Sequence, residues 1–293
     1  MPPMPVLNWL VLFAAGVSWG ATQLFSKIAV STGHAPVGLV LWQVLIGIVV
    51  LGALMLARRM TLPLGRHHLI FYAVCALLGT VVPHSLSYTV ISYIPVGVAS
   101  LLIATVPMVT LLLAAPLGIE RASPRRVLGL GLGAAAVVLV VGPETSLPSP
   151  EQAGWAALLL IVSLSYAAEN VYIARFQPAG IGAVETLMGL TVGALVFILP
   201  AVAVGGLWVD ISPMAAAEQA AILGALLHIG AYLGLVWLIG QAGPVFASQI
   251  GYVVTLSGVG FGMIVLEEAH SPWIWLALVL MLAGLALVRP RVG

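Results

Sequence analysis

His84 and His228 are each followed four residues later by a tyrosine, Tyr88 and Tyr232. Residues four apart share one helix face. Each pair therefore offers an imidazole and a phenol from the same side. Hydrogen-bond donors, acceptors and flat aromatic faces suit the wall of a binding cavity. The plain alternative is packing, with each polar atom satisfied inside the protein. A second copy of the pair, displaced by 144 residues from 84 to 228, weighs toward a shared cavity. Pro83, just before His84, is expected to kink the local helix and free backbone carbonyls.

Glu169-Asn170 lies in another apolar run, and Thr22-Gln23 stands at the corresponding place in the first half. An ionisable group in hydrocarbon is costly, which makes Glu169 a functional candidate. It could balance a substrate amine, exchange a proton, or hold helices together through Arg175 or a histidine. Lys27 and Glu185 lie nearer the ends of their runs, where snorkelling or surface pairing accounts for them. The aromatics Trp19, Trp42, Tyr88, Tyr166, Tyr232, Trp237 and Tyr252 fall within apolar runs and could together wall a cavity for a flat side chain. Trp9, Trp155, Trp208, Trp273 and Trp275 fall near run ends, as an interfacial belt does. Pro107 is expected to break its helix near the middle, as a hinge or a fixed kink.

The chain that must position these residues is 62% hydrophobic and 6% charged, with a mean hydropathy of +1.18. Soluble domains carry about 25% charged residues. The solvent for most of this chain is therefore lipid. A net charge of +1 gives nucleic acid nothing to bind. The single cysteine, Cys75, lies in an apolar run and reads as a small packing residue. No metal-ligand spacing, nucleotide-binding loop or hydrolase motif occurs, so the expectation is a protein without catalytic site, metal or cofactor, and without ATP as a partner.

A membrane-spanning helix needs about 20 apolar residues. Ten stretches qualify: 8–30, 35–57, 68–91, 96–118, 125–142, 152–176, 181–204, 216–239, 244–266 and 271–289. With the N-terminus in the cytoplasm, the inner loops hold Arg58, Arg59, Arg66, Arg121, Arg125, Arg126, Arg175, Arg289 and Arg291. The outer loops hold only Lys27. This positive-inside bias predicts an even number of spans with both termini cytoplasmic.

The two halves of the chain align. Ser18-Trp19 meets Ser165-Tyr166, Phe25 meets Tyr172, and His84/Tyr88 meets His228/Tyr232. Ala99-Ser100 meets Ala247-Ser248, and Glu120-x-x-Ser123-Pro124 meets Glu268-x-x-Ser271-Pro272. Ser-Pro is a helix start, an N-cap with proline at N1. Gly129/Gly133 and Gly258/Gly262 have the spacing that lets membrane helices approach closely. The expected division is a first five-helix repeat over 1–142, an external linker over 143–151, and a second repeat over 152–293. Five spans is an odd number, so the second repeat enters the membrane inverted. Inverted repeats enclosing a midplane site are a hallmark of secondary transporters.

Ten spans in two halves, with Ser18-Trp19-Gly20 and Phe25-x-Lys27 in the first, resemble the drug/metabolite transporter superfamily in its EamA-type branch. So do the stretch from Ala99-Ser100-Leu101-Leu102 through Pro107 to Glu120, and Ala247-Ser248 leading to Glu267-Glu268. The resemblance implies a carrier in the bacterial inner membrane, commonly an exporter of amino acids, related metabolites or drugs, and within it the chain looks most like the amino-acid exporters, including those for aromatic amino acids. The family often has a basic residue early in the second helix, where this chain has Trp42 and Gln43.

The expectation is an all-α membrane protein exporting small amphipathic metabolites by alternating access, amino acids with large apolar or aromatic side chains foremost. Its substrate residues would be Trp19, Gln23, Trp42, His84, Tyr88, Glu169, Asn170, His228, Tyr232 and Trp237, with Pro107 as hinge. Its partners would be the lipid bilayer, a small-molecule substrate and, if transport is coupled, protons. The competing readings are an intramembrane enzyme acting on a lipid or polyprenyl carrier, and a membrane scaffold.

Overall fold

The computed structural model describes residues 6–119, 123–141, 147, 149–242, 244–247 and 249–288. Glu120, Arg121, Ser248, Arg289, Arg291 and five of the nine residues of the expected linker, 143–146 and 148, lie outside the described residues. Every regular element described is a helix. Eight helices are long and apolar enough to cross a membrane, and two shorter apolar helices, Ile250–Val265 and Pro272–Leu287, accompany them.

The first half runs α1 (Val6–Val30), α2 (Pro36–Ala57), α3 (Arg66–Ala76), a π-helical turn (Leu77–Val81), α4 (Val82–Tyr93), α5 (Val96–Ile103), α6 (Val106–Ala114) and α7 (Pro124–Val141). The second runs α8 (Glu151–Phe176), α9 (Ala183–Gly205), α10 (Ala216–Ala242), α11 (Pro244–Ala247), α12 (Ile250–Val265) and α13 (Pro272–Val288). Local chemistry sets many ends. Pro36, Pro124 and Pro272 open their helices, where a missing N–H costs nothing. Glu185 accepts the Gly182 N–H at 3.1 Å and so caps the start of α9. Gly206, at φ 63°, closes the same helix in the left-handed region.

Two expected spans are interrupted. Val96–Ala114 breaks at Ala104-Thr105, because Pro107 has no N–H to give to the preceding turn. The span expected over 244–266 is also broken, into α11 and α12, with no proline at the break. There a Cβ on Gly251 would lie 3.6 Å from the Pro107 ring, so the two breaks face each other. At 16 residues, α12 alone rises about 24 Å, short of a ~30 Å hydrocarbon core.

Packing is dominated by contacts between halves. α1 lies along α10 and α12, while α8 lies along α4 and α6. α2 packs on α9, α5 on α12 and α7 on α13; α3 touches α9 and α10 touches α2. Exchanging α1 for α8, α2 for α9, α3–α4 for α10, α5–α6 for α11–α12 and α7 for α13 maps these contacts onto one another. Gly284 of α13 permits a close approach to α7. A Cβ there would lie 2.7 Å from the Gly129 carbonyl oxygen.

Candidate functional site

A central cavity encloses about 1000 Å³ of empty space, counted out to its open mouth. It is walled by α1, α2, α4, the α5–α6 break, α8, α10 and the α11–α12 break. Trp19, Gln23, His84, Tyr88, Glu169, Asn170, His228 and Tyr232 all line it, as does Pro107. Trp42 and Trp237 do not. The Trp42 indole N–H instead donates to the Val209 carbonyl at 2.9 Å, tying α2 to the loop after α9. Trp237 packs against the small apolar cluster that includes Leu12, Ala15 and Leu238.

The two histidines meet at the centre. Their ring centroids are 4.6 Å apart, with planes at 88°. Trp19 donates its indole N–H to His228 Nδ1 at 3.0 Å. That bond requires Nδ1 to be an acceptor, so His228 carries its proton on Nε2. Trp19 also meets Tyr232 edge-on at 6.1 Å. On the other side Tyr166, the counterpart of Trp19, meets His84 at 6.2 Å. The Tyr88 hydroxyl donates to Gln43 Oε1 at 3.2 Å. His84 Nδ1 and Ser87 Oγ are buried without a hydrogen-bond partner, on the α4 face that lines the cavity.

Glu169 is 2% exposed and accepts a short hydrogen bond from the Tyr232 hydroxyl. Among the described residues it forms no ion pair, and Arg175 lies on an exposed stretch of α8. The carboxylate instead nests against Gly79, where any Cβ would overlap it. Gly79 belongs to the π-helical turn that precedes Pro83. Proline would clash with the carbonyl four residues back, which is that of Gly79. Widening to a π turn absorbs the misfit, and the Val82 N–H reaches back to Leu77. Ser165 of α8 then donates to the Leu78 carbonyl at 2.7 Å. The kink expected from Pro83 is thus a widened turn that makes room for Glu169.

Several lining residues were not singled out from the sequence. Ser26, Ser87 and, apart from Pro107, the residues at the two breaks are of this kind. Ser26 and Ser87 follow their partners by helical spacing, three residues after Gln23 and after His84. Gln43 stood out only as the place of a missing basic residue. Among the described residues, no cluster of three or more His, Cys, Asp or Glu side chains could hold a metal ion.

Residues 7–142 match the EamA-like transporter family. Over 287 residues the chain is 28% identical to the "uncharacterized inner membrane transporter YedA" of Escherichia coli, the same in strain K12, O6:H1 and O157:H7, covering 94% of this chain and 89% of that protein. One crystal structure superposes with a TM-score of 0.69 over 96% of both chains at 20% identity, a likeness of fold alone. The first half of the chain, residues 7–142, is thus similar to the EamA-like transporter family, and nearly the whole chain is similar to an inner membrane transporter.

Proposed function

We propose that the protein is a secondary transporter of the inner membrane that exports small amphipathic metabolites, amino acids with a large apolar or aromatic side chain foremost. The observation that carries this reading is the central cavity, walled by matching helices of both halves and holding matched residues of each. Trp19 beside His228 is answered by Tyr166 beside His84. The exchange of helix contacts between halves supports an arrangement of two inverted five-helix repeats, 1–142 and 152–293, joined by an external linker at 143–151. Sites between such repeats, lined by interrupted helices, serve alternating access by rocking of one bundle on the other. The two breaks facing the cavity fit that role, with Pro107 as a hinge.

The substrate's apolar group would lie between the aromatic faces of Trp19, Tyr88, Tyr166 and Tyr232. Gln23, Gln43, His84, Asn170 and His228 would meet its polar groups, and Glu169 its ammonium. The test is flux into liposomes that hold the purified protein, with labelled phenylalanine, tryptophan, leucine and glycine, each with and without a pH gradient. Saturable flux of the large amino acids, with glycine excluded, is expected. No saturable flux of any of them would overturn the substrate reading. A flux that follows the imposed pH gradient, and that loses this dependence in Glu169→Gln, would identify proton coupling.

A further inference from the structure

Among the described residues lining the cavity, Glu169 is the one acidic side chain, and neither lysine nor arginine lines it. Lys27 is close by on α1, but its ammonium is spent elsewhere. It donates to the carbonyls of Ile91, Ser92 and Ile94, at 2.7, 3.3 and 3.1 Å, at the end of α4. His228 is held neutral by the Trp19 bond to Nδ1. The helix breaks bring no net charge. At each one a C-terminal end faces an N-terminal end, so their partial charges largely offset. The remaining polar lining, from Gln43, Ser87 and Asn170 among others, is uncharged.

A carboxylate in such a place lacks compensation. Its Oε1 is held by Tyr232, and among the described residues its Oε2 has no hydrogen-bond partner. Four aromatic side chains, Trp19, Tyr88, Tyr166 and Tyr232, line the same cavity, and aromatic faces attract organic cations. His84 Nδ1 stands unpartnered beside them, available to a donor. We propose that the cavity selects by charge, taking organic monocations with a flat apolar group, such as aryl-alkyl amines, in preference to the corresponding zwitterionic amino acids and well ahead of the carboxylic acids. The inference rests on the transporter reading for what the site is used for, and within that reading it places aryl-alkyl amines ahead of amino acids as the ligands held most tightly. An amino acid still binds through its ammonium, but its carboxylate finds only uncharged donors near a like charge. An amine meets Glu169 without that opposition.

The experiment is competition binding on the purified full-length protein in detergent, read by quenching of tryptophan fluorescence. Phenethylamine, phenylalanine and 3-phenylpropionate share one aryl group and differ in charge. Phenethylamine is expected to bind roughly tenfold or more tighter than phenylalanine, the scale of one hydrogen-bonded charge interaction. Phenylpropionate is expected to bind weakest. Glu169→Gln should erase the advantage of the amine, while Glu169→Asp, which keeps the charge, should keep the order with weaker binding. Equal or tighter binding of phenylalanine overturns the proposal, as does an amine preference that survives Glu169→Gln. Absence of saturable binding by all three overturns it too. Liposome flux separates this from the wider reading: tight amine binding without flux would sink transport and leave the charge selection standing. Flux without amine preference would do the reverse.

Discussion

At the scale of single residues, the site turns on a carboxylate and a glycine that make one unit. Glu169 is accommodated because Gly79 has no side chain where its carboxylate lies. Glycine within a helix costs about 1 kcal/mol relative to alanine, so Gly79→Ala would be stabilising were the space empty. It is not empty, and the expected outcome is a loss of about 1–3 kcal/mol from overpacking. Thermal unfolding in detergent checks this. The double variant Gly79→Ala/Glu169→Ala should regain part of the loss, since the overlap is then gone. A double variant as unstable as the sum of the two single ones would mean that the two residues do not compete for space.

At the scale of elements, the short α4–α5 connection is held by charges from distant parts of the chain. The Lys27 ammonium takes the carbonyls at the end of α4, and Glu268 takes the Val96 and Gly97 N–H groups at the start of α5, at 2.6 and 3.0 Å. A cation at a helix C-terminus and an anion at an N-terminus both complement the helix dipole. His270 stands beside Glu268 at 3.7 Å; burial lowers its pKa below the usual histidine value, against the opposing pull of that carboxylate. Gln152 and Trp155 of α8 complete the hold, by a 2.8 Å hydrogen bond to the Tyr93 carbonyl and a 4.1 Å ring stack on Tyr93. Glu268→Ala should therefore cost about 1–2 kcal/mol, the scale of a lost helix cap. Hydrogen exchange gives the specific check. The Val96 and Gly97 amides should exchange faster, while the α9 start at Gly182, capped by its own Glu185, should not change.

At the scale of the whole molecule, the proposed inverted arrangement makes a prediction about sides of the membrane. Single cysteines placed at Arg59 and at Glu144, in a Cys75→Ala background, should react with a membrane-impermeant maleimide from opposite faces of the bilayer. Labelling of both from one side would leave the halves parallel and remove the basis for rocking about a central site. The matched contacts of α1 and α8 with the opposite halves fit the proposed rocking of two bodies. The interrupted helices lie where those bodies meet around the cavity.

Composition and periodicity alone determined that the chain is helical and apolar enough for a membrane, because hydrophobic runs and their breaks are local properties. The recurrence of His-x-x-x-Tyr was also legible, and it named four residues that do line one cavity. Glu169 stood out because a charge in an apolar run is visible without any structure. What only the tertiary structure decided is which faces meet. Trp42 and Trp237 are as aromatic as Trp19, yet one serves a loop carbonyl and the other a packing cluster. Helix rotation separates them, and an almost uniformly apolar helix leaves its rotation unwritten in the sequence. The α11–α12 break had no proline to announce it, and the room for Glu169 depends on a glycine in another helix. The charge of the cavity was likewise undecided by counting. Lys27 is close enough in sequence to Gln23 to have joined the lining, and its carbonyl partners at the end of α4 leave Glu169 as the one acidic side chain of the described lining, with no lysine or arginine beside it.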